Sequence, residues 1–344
     1  MNMTFFRKLP IPMEVKELYP LTPAMRETFA RRDGEIKAVL SGKDDRLLLI
    51  VGPCSADRED SVLEYLSRLS RLYERVCDRL VIVPRVFTNK PRTAGDGYLG
   101  LLHQPDPEGK PDLFHGLVAC RKLHMRALAE VGFSCADEML YPENYKYFDD
   151  LLAYVTVGAR SVEDQQHRLT ASGAEVPVGM KNPMSGDLAV MLNAVGAAQR
   201  AHDFIYRGWA ARSTGNPFAH AVLRGYLDGA ERAVPNYRRS DLVRLADLYA
   251  ERGLQNPAVI VDASHGNSGK DPEKQPGVIF DVLESRRQNA AVKRLVKGFM
   301  VESYLEDGAQ KPGEHVFGRS ITDPCLGWEK TERLVLYLAE SASR

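Results

Sequence analysis

Eight side chains in this sequence follow short apolar runs, and each is ionisable or a potential metal ligand: Cys54, Arg85, Glu138, Arg160, Lys181, Arg224, His265 and Glu302. They sort into two chemistries. Arg85, Arg160, Lys181 and Arg224, joined by Lys90 and Arg92 of the run Lys90-Pro91-Arg92-Thr93, form a cationic set. Guanidinium forks match phosphate and carboxylate, and lysines add compact charge. Six cations exceed what one phosphate requires, so the expected substrates carry two phosphates, or a phosphate and a carboxylate. The second set is Cys54, His265 and Glu302, with Asp323 from a later segment. A thiol, an imidazole and two carboxylates suit a first-row divalent ion (Mn2+, Fe2+, Co2+ or Zn2+) better than Mg2+ or Ca2+. Such an ion polarises a carbonyl as a Lewis acid. Taken singly, an arginine after a strand is usually a solvated loop charge and a cysteine a small buried hydrophobe. The functional reading rests on their convergence at one place.

Convergence requires elements that end together. Strand candidates lie at 47–51, 80–86, 133–137, 154–159, 176–180, 219–223, 258–262 and 298–301, most followed by a helix-like stretch. Between the first two, Val62, Leu66, Leu69, Tyr73 and Val76 share one helical face. Continuous apolar runs suit strands covered on both sides, and eight βα units predict an α/β fold of the (β/α)8 (TIM) barrel type. In that fold the residues past each strand line the C-terminal mouth. An open doubly wound sheet of the same elements is the alternative. Residues 41–344 are assigned to the barrel. Residues 1–40 form an N-terminal extension with a helix near 33–40, expected to contribute an oligomer contact. A long Gly/Pro-bearing connection spans 87–115, and an extra β element is expected at 204–206.

Composition narrows the classes. The 344 residues exceed the roughly 250 that a barrel needs. Lys and Arg number 46 and Asp and Glu 46, a balance that argues against a dedicated nucleic-acid binder. The N-terminus has no signal-peptide pattern, and the longest apolar runs are too short to span a membrane. Five scattered cysteines without a Cys-x-x-Cys pair suggest free thiols and a cytoplasmic setting. Walker, Gly-x-Gly-x-x-Gly and Gly-x-Ser-x-Gly patterns do not appear where nucleotide binding or serine hydrolysis would need them.

Several blocks resemble the type I 3-deoxy-arabino-heptulosonate 7-phosphate (DAHP) synthase family. They are Ile50-Val51-Gly52-Pro53-Cys54-Ser55, Lys90-Pro91-Arg92-Thr93, Val178-Gly179-Met180-Lys181-Asn182 and Asp262-Ala263-Ser264-His265-Gly266-Asn267-Ser268. Met300-Val301-Glu302-Ser303 and Gly318-Arg319-Ser320-Ile321-Thr322-Asp323-Pro324-Cys325 continue the likeness, which runs in order over residues 35–340. The resemblance implies a transferase of the shikimate pathway that condenses phosphoenolpyruvate with erythrose 4-phosphate and releases phosphate. It implies metal ligation by Cys54, His265, Glu302 and Asp323. It also implies phosphoenolpyruvate binding by Arg85, Lys90, Glu138, Ala159 (through its backbone), Arg160, Lys181 and Arg224. Aldose phosphate binding falls on Arg92 and Thr93 with Asp323 nearby, and Lys90 and His265 are the implied proton carriers beside Cys54. A homodimer or homotetramer is expected.

The chain departs from many relatives at Asn89, where an acidic residue precedes the Lys-Pro-Arg-Thr run, and at Tyr98-Leu99 in place of Trp-Lys. In feedback-inhibited relatives an aromatic amino acid binds near the segments matching 141–147 and 169–175. Tyr141, Tyr145, Lys146 and Glu175 here predict weak or absent inhibition by Phe or Tyr. Two other readings compete: the same chemistry on another aldose phosphate in specialised metabolism, and a non-catalytic phosphosugar-binding barrel.

Overall fold

The apolar runs fold as eight parallel strands: β1 (Leu47–Gly52), β2 (Leu80–Pro84), β3 (Cys135–Glu138), β4 (Leu152–Val157), β5 (Val178–Lys181), β6 (His220–Leu223), β7 (Val259–Asp262) and β8 (Val296–Glu302). These come from a computed structural model that describes residues 2–342 apart from 6, 93, 94, 96 and 312. Apart from β2 and β3, each strand pairs with its neighbour in sequence, and β1 pairs with β8. The ring closes where Arg85 and Ala136 form a parallel bridge, the Val86 N–H donating to the Ala136 carbonyl at 2.9 Å. The expected (β/α)8 barrel is therefore the architecture found.

Alternation within the runs builds two apolar layers. Leu48, Ile50, Val81, Val83, Tyr154, Val222, Ile260 and Met300 fill the barrel interior. Leu47, Leu49, Val51 and their counterparts face outward, under the surrounding helices. The helix Glu59–Glu74 presents Val62, Leu66 and Leu69, all fully buried, to that outer layer. Side-chain caps start several helices: Asp112, Asp164 and Asp187 accept from backbone N–H groups of Leu113–Val131, Gln165–Ser172 and Leu188–Ala198. No helix among the described residues is long and apolar enough to cross a membrane.

The N-terminal region carries two helices, Pro12–Leu18 and Pro23–Leu40. The second is longer than the expected 33–40. Its start carries a capping pair, Thr22 accepting from the Met25 N–H and Pro23 in the first turn. Ile36, Val39 and Leu40 join the interior cluster with Leu48, Val81 and Tyr154, so this helix floors the barrel. The extra element at 204–206 is one arm of an antiparallel hairpin, Asp203–Tyr206 with Trp209–Arg212. A second hairpin, Tyr226–Leu227 with Ala233–Val234, leaves β6 over the mouth.

Candidate active site

Three of the four expected metal ligands come together. One ligand atom each from Cys54, Glu302 and Asp323 lies within 4.8 Å of the others. Cys54 follows β1, Glu302 ends β8, and Asp323 arrives from the loop beyond it. The Cys54 sulfur stands 3.7 Å from Asp323 Oδ2. His265 sits at the edge of this group, its Nε2 3.9 Å from Glu302 Oε1. Its Nδ1 faces Asp262 Oδ2 at 2.9 Å, which holds the proton on that nitrogen and leaves Nε2 turned toward Glu302. His265 adopts a left-handed backbone (φ 51°), an uncommon conformation for a non-glycine residue and one that aims the ring.

The electrostatics suit a bound cation. Burial raises the Cys54 thiol pKa and Glu302 adds to it, while Lys90 opposes. Burial disfavours the Lys90 charge, but Cys54, Glu302 and Asp323 outweigh it and raise its pKa. Its ammonium lies 2.5 Å from the Cys54 sulfur and 3.8 Å from Asp323. Asp323 is also burdened by burial, yet Lys90 and Lys270 hold its pKa below the usual carboxylate range. A buried thiol, two carboxylates and an oriented imidazole fit a first-row divalent ion.

Beside this group opens a cavity of about 530 Å³. Among the described residues, Arg85, Lys90, Arg92, Arg160, Lys181, Arg224 and Lys270 line it against only Glu138, Glu231 and Asp323. Thus all six expected cations border one space. Arg85 is fully buried, donating to Glu302 at 2.8 Å and to the Pro53 and Cys54 carbonyls at 3.1 and 3.2 Å. Lys181 donates to Glu138 at 3.1 Å. Burial works against the Glu138 charge, but Lys181, Arg85 and Lys90 bring its pKa down. A Cβ on Gly158 would stand 2.7 Å from Glu138, so glycine leaves that carboxylate its place. Burial lowers the Arg224 pKa. Ala159 and the exposed Arg160 complete the rim. Thr93 lies outside the described residues.

Residues that reading past each strand overlooks hold these groups in place. Asp262, which orients His265, is itself the last residue of β7. Gln275 clamps the Glu302 peptide from both sides, donating to its carbonyl at 2.9 Å and accepting from its N–H at 2.8 Å. Asn182, Asn236 and Asn267 form a buried amide chain: Asn182 accepts from the Arg224 N–H, and Asn236 links Asn182 to Asn267. The departures fall at the wall. Asn89 is buried and its Oδ1 has no hydrogen-bond partner among the described residues. Tyr98 turns away from the cavity to donate to the Ala56 carbonyl at 3.0 Å.

A family model described as the DAHP synthetase I family matches residues 21–336. The chain belongs to this family. Among its relatives, the Tyr-sensitive phospho-2-dehydro-3-deoxyheptonate aldolase of Salmonella typhimurium is 36% identical over 333 residues, covering 94% of this chain and 90% of that protein. The Trp-sensitive enzyme of Enterobacter agglomerans is 37% identical over 340 residues, covering 96% and 94%. The solved structure of the Francisella tularensis SCHU S4 aldolase superposes with a TM-score of 0.92 at 30% identity over 99% of each chain. DAHP synthases are transferase-type enzymes of aromatic biosynthesis, generally metal-dependent. Membership in the DAHP synthetase I family accounts for a barrel mouth that combines a Cys/Glu/Asp group with an under-neutralised basic cavity.

Proposed function

We propose that this chain condenses phosphoenolpyruvate with erythrose 4-phosphate to DAHP and phosphate, with a divalent metal held by Cys54, His265, Glu302 and Asp323. The observation that carries the proposal is the juxtaposition of that ligand group with the cationic cavity. When bound, the metal supplies Lewis-acid polarisation of the aldose aldehyde. Arg85, Arg160, Lys181 and Arg224 offset the carboxylate and phosphate of phosphoenolpyruvate, and Arg92 with Thr93 takes the aldose phosphate. They thereby hold two mutually repelling anions in reacting geometry. A carbon–carbon bond forms between the enol carbon and the aldehyde carbon, whose oxygen takes up a proton. Water adds at the carbon bearing the phosphate, and the adduct expels phosphate. Lys90, beside the Cys54 sulfur, and His265, its Nδ1 proton held by Asp262, are the groups we assign to carry protons.

The metal is Mn2+, Fe2+ or Co2+, with Zn2+ compatible. Phosphate release from phosphoenolpyruvate, with and without erythrose 4-phosphate and across these metals, tests the proposal. Release should need both the aldose and a metal, and Cys54→Ala should abolish it. Undiminished release after chelation would remove the metal from the reaction.

We further infer weak or absent inhibition by Phe or Tyr. Tyr145 is buried, and the cavity that Tyr141, Asn144, Tyr145 and Phe148 border runs inward to Asn89 and Glu138 and is lined by none of residues 169–175. Half-maximal inhibition at micromolar concentration would contradict this. Exposed Ile205 and Trp209 and the apolar side chains of the N-terminal region support a homodimer or homotetramer built through residues 1–40 and the neighbouring hairpin. The five free thiols agree with a cytoplasmic setting.

A further inference from the structure

At the opposite end of the barrel, the segments leading into β1, β7 and β8 surround a cavity of about 960 Å³. Its charge is not balanced. Arg46 and Asp44 pair with each other at 2.7 Å and neutralise one edge. Arg286 has one guanidinium bond, to the Val296 carbonyl at 2.8 Å. Lys297 makes no hydrogen bond or ion pair among the described residues, and its Nζ lies 3.3 Å from where a Cβ on Gly42 would stand. Lys293 and Arg294 add two exposed cations from the adjoining helix Ala290–Leu295. Asp45 and Asp247 also line the space; neither forms a hydrogen bond or ion pair with Arg286 or Lys297, and Asp45 attracts both only from beyond 4 Å.

Two half-buried cations that share one distant carboxylate, Asp45, and have none in ion-pair contact are costly unless a further anion joins them. A monocarboxylate would leave one of the pair uncompensated. A phosphate dianion neutralises both and accepts from the free edge of the guanidinium. Burial lowers the Arg286 pKa to about 10, and burial together with Arg286 lowers that of Lys297; Asp45 opposes both shifts without cancelling them, as expected for an under-compensated pair. We propose that this floor cavity is a second anion site, taking a small phosphate ester between Arg286 and Lys297. It is separate from the catalytic mouth, and the proposal does not rest on the reaction assigned there.

Equilibrium dialysis with radiolabelled inorganic phosphate tests it, comparing the unmodified protein with Lys297→Gln and with Lys43→Gln, an exposed control nearby. Lys297→Gln should weaken one class of site about tenfold or more, so that bound phosphate falls by about one per chain, while Lys43→Gln retains it. Lys297 makes no hydrogen bond, so its replacement leaves the fold intact; Arg286→Gln, which also loses the Val296 contact, serves as the second variant. Condensation activity of Lys297→Gln should stay unchanged. Identical phosphate isotherms for Lys297→Gln and the unmodified protein, or equal losses in Lys297→Gln and Lys43→Gln, would overturn the site.

Discussion

Asp262 shows how much of the site depends on a residue that touches no proposed substrate. Its carboxylate receives the His265 Nδ1 proton at 2.9 Å and the Ser264 hydroxyl at 2.6 Å. Burial opposes its charge, but His265, Lys181 and Arg85 hold its pKa far below the usual range, so it stays anionic. Asp262→Asn should cut kcat/KM and metal affinity about 10- to 100-fold, the usual effect of removing a carboxylate behind a ligating histidine. Steady-state kinetics alongside a metal titration check this, and unchanged values would mean that His265 orients itself. His220 offers a prediction about stability. It lies buried in the barrel between the Tyr154 hydroxyl, 2.7 Å from Nε2, and the Phe218 carbonyl, 2.8 Å from Nδ1. Burial lowers its pKa from 6.5 to about 4. Above pH 6.5 the imidazole is neutral whether folded or unfolded, and its contribution is complete. As pH falls from 6.5 to about 4, the unfolded chain binds a proton that the folded chain refuses, so stability drops by about 3 kcal/mol and then levels. Urea denaturation of the unmodified protein and His220→Gln across that interval should show the variant losing less. Parallel curves would refute the assignment.

At the scale of elements, the strand ends carry the ionisable groups of the mouth and the following segments lock them in place. Gln275 opens the helix Gln275–Gln288 and satisfies both polar groups of the Glu302 peptide at the end of β8. Gln275→Leu would leave the buried Glu302 N–H without its side-chain partner, at about 1–3 kcal/mol, while the carbonyl keeps the Leu326 N–H at 3.0 Å. We expect a stability loss of about 1–3 kcal/mol in urea denaturation. Metal affinity should fall as well, because Glu302 would no longer be held. A stability loss with unaltered metal binding would limit Gln275 to the fold. This contact also marks where sequence stops being informative. The eight strands were legible because most of β1 to β8 are near-continuous apolar runs, and their ends exposed Cys54, Arg85, Glu138 and Glu302 by position alone. Boundaries moved where backbone chemistry intervened: β2 ends at Pro84, which has no N–H to continue the ladder, and β5 begins only after Pro177. Asp262 escaped because it is inside the strand rather than past it. Gln275 and the Asn182–Asn236–Asn267 chain had no local signal, since their partners are 27 to 54 residues away. The helix Pro23–Leu40 did have one, the Thr22-Pro23 start, outweighed by the weak amphipathicity that follows.

For the whole molecule, that helix decides whether the barrel can hold its mouth in shape. A parallel barrel has an apolar interior open at both ends; here the mouth is filled by charged side chains and the floor by Ile36, Val39 and Leu40, each 1% exposed or less. Arg32, also buried, lies over the rings of Tyr73 and Phe133 and pairs with Glu35 at 2.8 Å, fastening the helix to β2's surroundings. Arg121 ties the preceding segment down through the Tyr19 carbonyl and Asp150. Burying three aliphatic side chains contributes about 1.5–3 kcal/mol apiece, a sum comparable with the 5–15 kcal/mol that typically separates folded from unfolded domains. Deleting residues 1–40 should therefore unfold or aggregate the chain, whereas deleting residues 1–8, exposed wherever the structure describes them, should leave its stability within about 1 kcal/mol. Ile36→Ala provides the graded test, with an expected loss of about 2–5 kcal/mol. Size-exclusion chromatography and urea denaturation distinguish the cases. If the chain lacking residues 1–40 remained soluble and unfolded at the same urea concentration, the helix would be an appendage. If it behaves as expected, the catalytic mouth is supported from the far end of the same eight strands, and the floor belongs to the enzyme's working core.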